Sequence, residues 1–236
     1  MDQSISDTKL ESEAEGETGI QASRQSRVSS IIAAILPFVQ SIPPLTIWGG
    51  LMTIPFVSYI ALLFTSSPSQ FVEAIVFIFF GGFPWEQIIA ILGIGTLFYS
   101  IVHMRLAKNE GLIRSGPYSY VRHPQYLGVV LFTLALTTRS YWIGKNTFGA
   151  SWIAPELTIA IWFGTLFAYI ILAQVEELHL AKTFPSEYEE YREDTGFMFP
   201  FVKTRNRAIE IALSVLIPAL ILAAVLIAAP GYPPLL

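Results

Sequence analysis

The chain has no cysteine and only three histidines, and charged residues make up just 14% of its 236 positions. The missing cysteine removes disulfide frameworks, thiolate nucleophiles and zinc sites built on sulfur. His103, His123 and His179 share no ligand spacing and include no i,i+4 pair, so a metal centre is not expected. Soluble domains carry about 25% charged residues, and a core large enough to hide this much apolar surface does not fit this length. The net charge is −4 and there is no basic patch, so nucleic acid is not an expected partner. The sequence also lacks a phosphate loop, a nucleophile elbow and a dinucleotide glycine pattern.

What is present is apolar and arranged in blocks. Hydrophobic residues reach 53% and the mean hydropathy is +0.55. A run of roughly 18 or more apolar residues without charge is long enough to cross the hydrocarbon core as a helix. Five spans are predicted: Leu45 to Phe64, Trp85 to Arg105, Gln125 to Thr138, which is short and suits a start deeper in the protein, Glu156 to Val175 and Ala208 to Ala229. Phe71 to Phe83 is apolar but short and carries Glu73, which suits a re-entrant or interfacial piece. Val28 to Gln40, with Pro37, is also too short to span and suits the interface. Residues 1–27 hold six acidic and three basic residues and almost nothing apolar. Such a segment cannot offset its ordering entropy by burial, so disorder is expected, and no cleavable signal peptide is seen in it. The fold expected is an all-α polytopic membrane bundle of about five transmembrane helices.

Charge sets the orientation. Four Lys and Arg fall in 105–122 and five in 182–207, against two in the loop 139–155. Short loops rich in these residues stay in the cytoplasm. The segments 106–124 and 176–207 are therefore expected on the inner side, separated by two spans. An integral, multi-pass protein with its chemistry at the cytoplasmic face follows, with membrane lipids as surroundings.

Those two segments also hold nearly all the reactive groups. The first contains Gly116-Pro117, a turn signal, and Pro124, which biases His123 away from helix. Irregular backbone at membrane depth must be satisfied by protein or ligand. Two readings compete for it. One is an interfacial loop, with Tyr118, Tyr120 and Tyr126 as headgroup anchors and Arg114 and Arg122 as positive-inside markers. The other is the wall of a small-molecule site. The second segment opens with Glu176-Glu177, whose charges oppose the dipole of a helix C-terminus and call for a cation, either Arg122 or a bound positive group. Phe184, Tyr188 and Tyr191 form an aromatic stripe on one helix face.

The run Gly116-Pro-Tyr-Ser-Tyr-Val-Arg-His-Pro-Gln-Tyr-Leu-Gly128 resembles the signature of the isoprenylcysteine carboxyl methyltransferases and related phospholipid methyltransferases. Glu176-Glu-Leu, Phe184, Glu187-Tyr-Glu-Glu-Tyr191, Thr195-Gly196 and Pro200-Phe-Val-Lys203 are similar to the same family. The likeness extends from about Ile88 to Lys203. It implies a methyltransferase core over 85–207, between an N-terminal membrane region (28–84) and a C-terminal helix and tail (208–236). It also implies S-adenosylmethionine, held by His123, Pro124, Gln125 and Tyr126, by Glu110, Gly111, Leu112 and Ile113, and by His103, Tyr118 and Glu176. Glu176 and Arg122 are the implied catalytic pair, and a prenylated protein or lipid the implied substrate. One departure bears on that substrate. The family carries an Arg four or five residues before the paired Glu, to orient the acceptor carboxylate, but Ile171-Leu-Ala-Gln-Val175 has none. Arg122, Arg105 or Lys203 would have to fill the role, or the acceptor is not a prenylcysteine carboxylate. The alternatives are N-methylation of a phospholipid amine and a sterol-reductase-like oxidoreductase using a nicotinamide cofactor.

Overall fold

The computed structural model describes residues 44–66, 68–80, 83–107, 111–146, 154–204 and 206–228. The acidic tail, the stretch Val28 to Gln40 and Glu110 lie outside them. Seven α-helices are described: α1 (Pro44–Ser66), α2 (Pro68–Phe80), α3 (Pro84–Leu106), α4 (Pro124–Asn146), α5 (Pro155–Thr183), α6 (Pro185–Asp194) and α7 (Arg207–Ala228). A 3-10 turn, Gly116–Ser119, precedes α4. The chain divides into Met1–Gly50, of which only the start of α1 is described, and Leu51–Leu236. The core and the charged site both belong to the second unit.

Six of these helices begin at proline. Proline suits a first helical position because its fixed φ is helical and its missing N–H would be unsatisfied there anyway. In α3, Glu86 in the first turn and His103 and Arg105 in the last complement the macrodipole. Helices α3, α4, α5 and α7 are long and apolar enough to cross a membrane, and α1 adds the apolar stretch Gly50–Thr65. The expectation of an all-helical membrane bundle agrees with this.

Helix α4 is the central one, with most of its residues buried, while α3 and α7 turn most of their surface outward. Trp162, Leu166 and Tyr169 of α5 pack with Tyr126, Leu134 and Leu136 of α4 and with Tyr59 and Leu63 of α1. The polar groups of Tyr59 and Tyr169 in this core are satisfied internally. Tyr59 shares a hydrogen bond with Thr137 Oγ1 at 2.7 Å and donates to the Thr133 carbonyl at 3.0 Å. Tyr169 donates to the Met52 carbonyl at 2.8 Å. Helices α3 and α4 meet at Gly93 and Gly128. A Cβ on Gly93 would lie 2.6 Å from the Phe132 nitrogen, and one on Gly128 2.6 Å from that of Leu97. Only glycine permits this backbone approach, the small-residue contact common between membrane helices.

Two spans are longer than the apolar pattern predicts. The third does not stop at Thr138 but continues to Asn146, so Arg139 and Ser140 are helical rather than part of a loop. The reason is that Arg139 is neutralised inside the bundle by Glu86 of α3 and lies over the rings of Phe83 and Trp142. The fourth runs on to Thr183, which places Glu176 and Glu177 inside the helix rather than at its end. The short piece expected at Phe71 to Phe83 is α2, a helix of 13 residues ending at Phe80.

Candidate functional site

The last turns of α3, the first of α4, the late turns of α5, all of α6 and the first turn of α7 meet at one end of the bundle. The two charged segments are joined there by backbone. Val121 and Gly196 form a parallel bridge, with Arg122 N donating to Gly196 O at 2.9 Å. Side chains add to it, as Tyr191 donates to the Tyr118 carbonyl at 2.7 Å.

Arg122 sits at the centre, 4% exposed. Its Nε donates to Glu177 Oε1 at 2.6 Å and its Nη2 to Glu210 Oε1 at 2.8 Å. Its Nη1 donates to the carbonyls of Thr195 (2.6 Å) and Arg192 (3.0 Å). Burial weakens its hold on the proton, but the two carboxylates outweigh this and its pKa is raised above the ordinary arginine value. Both acidic partners are themselves buried. A guanidinium held by two carboxylates and two carbonyls is a fixed strut rather than a free cation.

His123 follows, 1% exposed. Its Nδ1 lies 3.3 Å from Glu176 Oε2 and its Nε2 3.4 Å from Glu177 Oε1. These are ion-pair distances without the alignment of a hydrogen bond. The ring stacks on Tyr126 at 5.4 Å and meets Phe197 edge-on at 5.2 Å. Burial disfavours the imidazolium, yet Glu176 and Glu177 prevail and push its pKa up to about 9. His123 is therefore a cation at neutral pH.

Several other buried polar atoms here have no hydrogen-bond partner within the protein. They include both ends of the Gln125 amide, the Tyr126 hydroxyl and Gln174 Nε2, while Glu176 Oε2 has its ion pair with His123. A buried polar group without a partner costs about 1–3 kcal/mol, and such atoms are few in a well-packed protein. They lie on the first turn of α4 and the late turns of α5.

The remaining candidates are arranged around this centre. Tyr118 is buried, with its hydroxyl 3.5 Å from the Ser100 carbonyl. Burial, reinforced by Glu176 and Tyr191, raises its pKa, so it stays neutral. His103 bonds the Ser115 hydroxyl at 2.9 Å and stacks near Tyr118. Gly116 has φ +60°, and a Cβ there would lie 2.6 Å from the His103 ring, so the turn admits only glycine. Leu112 packs with Tyr188, Tyr191 and Phe184, which makes the aromatic stripe a packing surface for the loop. Arg114 is tied to Glu190 at 2.9 Å and to the Glu187 carbonyl. Gly111 is exposed and Ile113 half-buried. Pro124 opens α4, and beside it lies a groove of about 530 Å³ lined by Thr96, Tyr99, Gly116, Tyr120 and Leu127, among others. Glu177 thus finds a cation the sequence named, Arg122, while Glu176 pairs with His123, which it had not named for that role.

Comparison with known proteins finds two likenesses. Residues 74–144 match the isoprenylcysteine carboxyl methyltransferase family. The chain is also 29% identical over 119 residues to the protein-S-isoprenylcysteine O-methyltransferase of Saccharomyces cerevisiae. That alignment covers 50% of this chain and 44% of the yeast protein, so the chain spans less than half of its relative. No solved structure matches. The family match includes α3, the loop and α4 but ends before Glu176, Glu177 and Glu210. Sequence reading missed Glu210 altogether. The signal available for it was a lone acid opening an otherwise uncharged apolar run, which is costly in a membrane unless paired.

Proposed function

We propose that this protein is a membrane methyltransferase that uses S-adenosylmethionine to methylate the carboxylate of an isoprenylated cysteine, at the cytoplasmic face. The observation that carries the reading is the 3.3 Å approach of His123 to Glu176, which brings the resemblance's two distant motifs into one site. The unpartnered Gln125 amide and Tyr126 hydroxyl, together with the Glu176 carboxylate, suit a ligand with amino, carboxylate and ribose groups. His123, Pro124, Gln125, Tyr126 and Glu176 would hold it, with Gly111, Leu112, Ile113, Tyr118 and His103 around them.

S-adenosylmethionine, when bound, supplies an electrophilic methyl group on a sulfonium. The residues supply position, charge balance and exclusion of water. Glu176 offers a carboxylate to a bound cation, and His123, held between Glu176 and Glu177, keeps that carboxylate in place. The acceptor carboxylate is already ionised at neutral pH, so the protein needs no general base. Arg122, expected as catalytic, is assigned here to holding the Glu177 and Glu210 carboxylates, because its donors are engaged by protein. The groove beside Pro124, lined in part by Thr96 and Tyr99 of α3, is the proposed approach for the acceptor's apolar chain.

One observation favours a second reading. With Arg122 engaged and no Arg in 171–175, the usual counter-charge for an acceptor carboxylate is missing, and a lipid amine would not need one. The test is transfer of a labelled methyl group to a farnesylcysteine analogue and to vesicles containing phosphatidylethanolamine. An alkali-labile methyl ester on the farnesylcysteine is expected. A base-stable N-methyl product would install the second reading, and no transfer to either acceptor would contradict both.

A further inference from the structure

Glu210 belongs to the last helix, beyond the family match, and yet its side chain is closed inside the site. Its Oε1 lies 2.8 Å from Arg122 Nη2, and its Oε2 lies 3.8 Å from Arg192 Nη2. Arg122 Nε then reaches Glu177 Oε1 at 2.6 Å. That same oxygen lies 3.4 Å from His123 Nε2, and His123 Nδ1 lies 3.3 Å from Glu176. The series Glu210, Arg122, Glu177, His123, Glu176 therefore alternates in sign. The members within it are almost wholly buried and only Glu176, at its end, has a side chain 21% exposed. We propose that Glu210 is a positioning residue which, through Arg122 and Glu177, keeps His123 a cation aligned on Glu176 at the mouth of the cofactor site.

A buried guanidinium needs its charge matched. With Glu210 ionised, Arg122 has two carboxylates, and Glu177 can share its charge with His123. Without Glu210, Arg122 draws on Glu177 alone, and His123 loses part of the field that keeps its proton. The groups involved are few. His123 faces Glu176 and Glu177 of α5, Tyr126 of α4 and the uncharged Phe197, with Arg122 beside it. Arg192 and Arg207 add positive charge through Glu210 and Glu177, Arg207 at 3.4 Å. Tyr188 and Tyr191 are neutral, their pKa values raised by burial. No other element brings a carboxylate to Arg122 among the described residues.

The proposal rests on the methyltransferase reading for its purpose but not for its test. The full chain in lipid nanodiscs, labelled with nitrogen-15 at histidine, gives three imidazole signals, and His123→Asn assigns the one that matters. In the unaltered protein the His123 signal is expected to titrate near pH 9. In Glu210→Gln its midpoint is expected at least one pH unit lower, with His103 and His179 unmoved. Glu210→Asp keeps the charge but shortens the reach, so an intermediate midpoint is expected, and it decides the matter if the amide does not fold. A His123 midpoint that does not move in either variant overturns the proposal, as does a common shift of all three histidines, the mark of a merely structural effect. A second arm reads S-adenosylhomocysteine affinity by calorimetry, expected to be about tenfold weaker in Glu210→Gln. If the unaltered protein does not bind it, the cofactor reading fails, while the histidine titration still decides the role of Glu210.

Discussion

At the residue scale, the site is a problem of paired charge. His123 carries a proton because two carboxylates lie within 3.4 Å of its ring nitrogens, and this ties stability to pH. A group whose folded pKa is raised stabilises the fold fully below its unfolded value and ceases to do so as pH climbs through the folded one. For His123 that window runs from its ordinary 6.5 to about 9. The detergent-solubilised protein should lose thermal stability across this range, and His123→Gln should flatten the change. A melting temperature that is level between pH 6.5 and 9 would remove the imidazolium from the account. The sequence made this cluster legible in part. His123, Tyr126 and Glu176 could be named from the resemblance, because their motifs are local strings. Arg122 could be named as a cation for the paired Glu, but its tie to Glu210, 88 positions away, could not.

At the element scale, proline and charge carry most of the legible information. Six helices start at proline, and the predicted starts of α1, α3, α4, α5 and α7 fall within a residue of those found. The ends were less legible. Apolar patterning ended the third span at Thr138 because Arg139 looks like a border, but Glu86 of α3 pairs with it inside the bundle. Hydropathy counts a residue alone, whereas the membrane responds to the pair. Removing one partner of a buried pair costs about 3–5 kcal/mol, while replacing both with apolar residues is often neutral. Glu86→Gln should therefore lower thermal stability by about that amount, and Glu86→Leu with Arg139→Met should recover most of it. A double variant as unstable as the single one would show that the pair does more than neutralise charge.

At the scale of the whole molecule, the bundle gathers the charge-rich segments 111–123 and 184–206 at one end, as their Lys and Arg content predicted. That end is proposed to face the cytoplasm. The chain's lack of cysteine makes the proposal easy to check by introducing single thiols at exposed positions. In sealed vesicles with the cytoplasmic side outward, an impermeant maleimide should label Ser119→Cys and Lys203→Cys but not Asn146→Cys, which should react once the membrane is opened. Labelling of Ser119→Cys and Lys203→Cys from different sides would break the common face on which the site depends. The resemblance reached the core of the molecule but not its last helix, since an apolar run seldom advertises which neighbour it serves.

The most direct test of the cofactor site is calorimetry of the purified full chain with S-adenosylhomocysteine. The account predicts saturable binding of one ligand per chain, weakened at least tenfold by Glu176→Gln and by His123→Ala. No binding, binding undiminished in both variants, or preference for a reduced nicotinamide dinucleotide would contradict it.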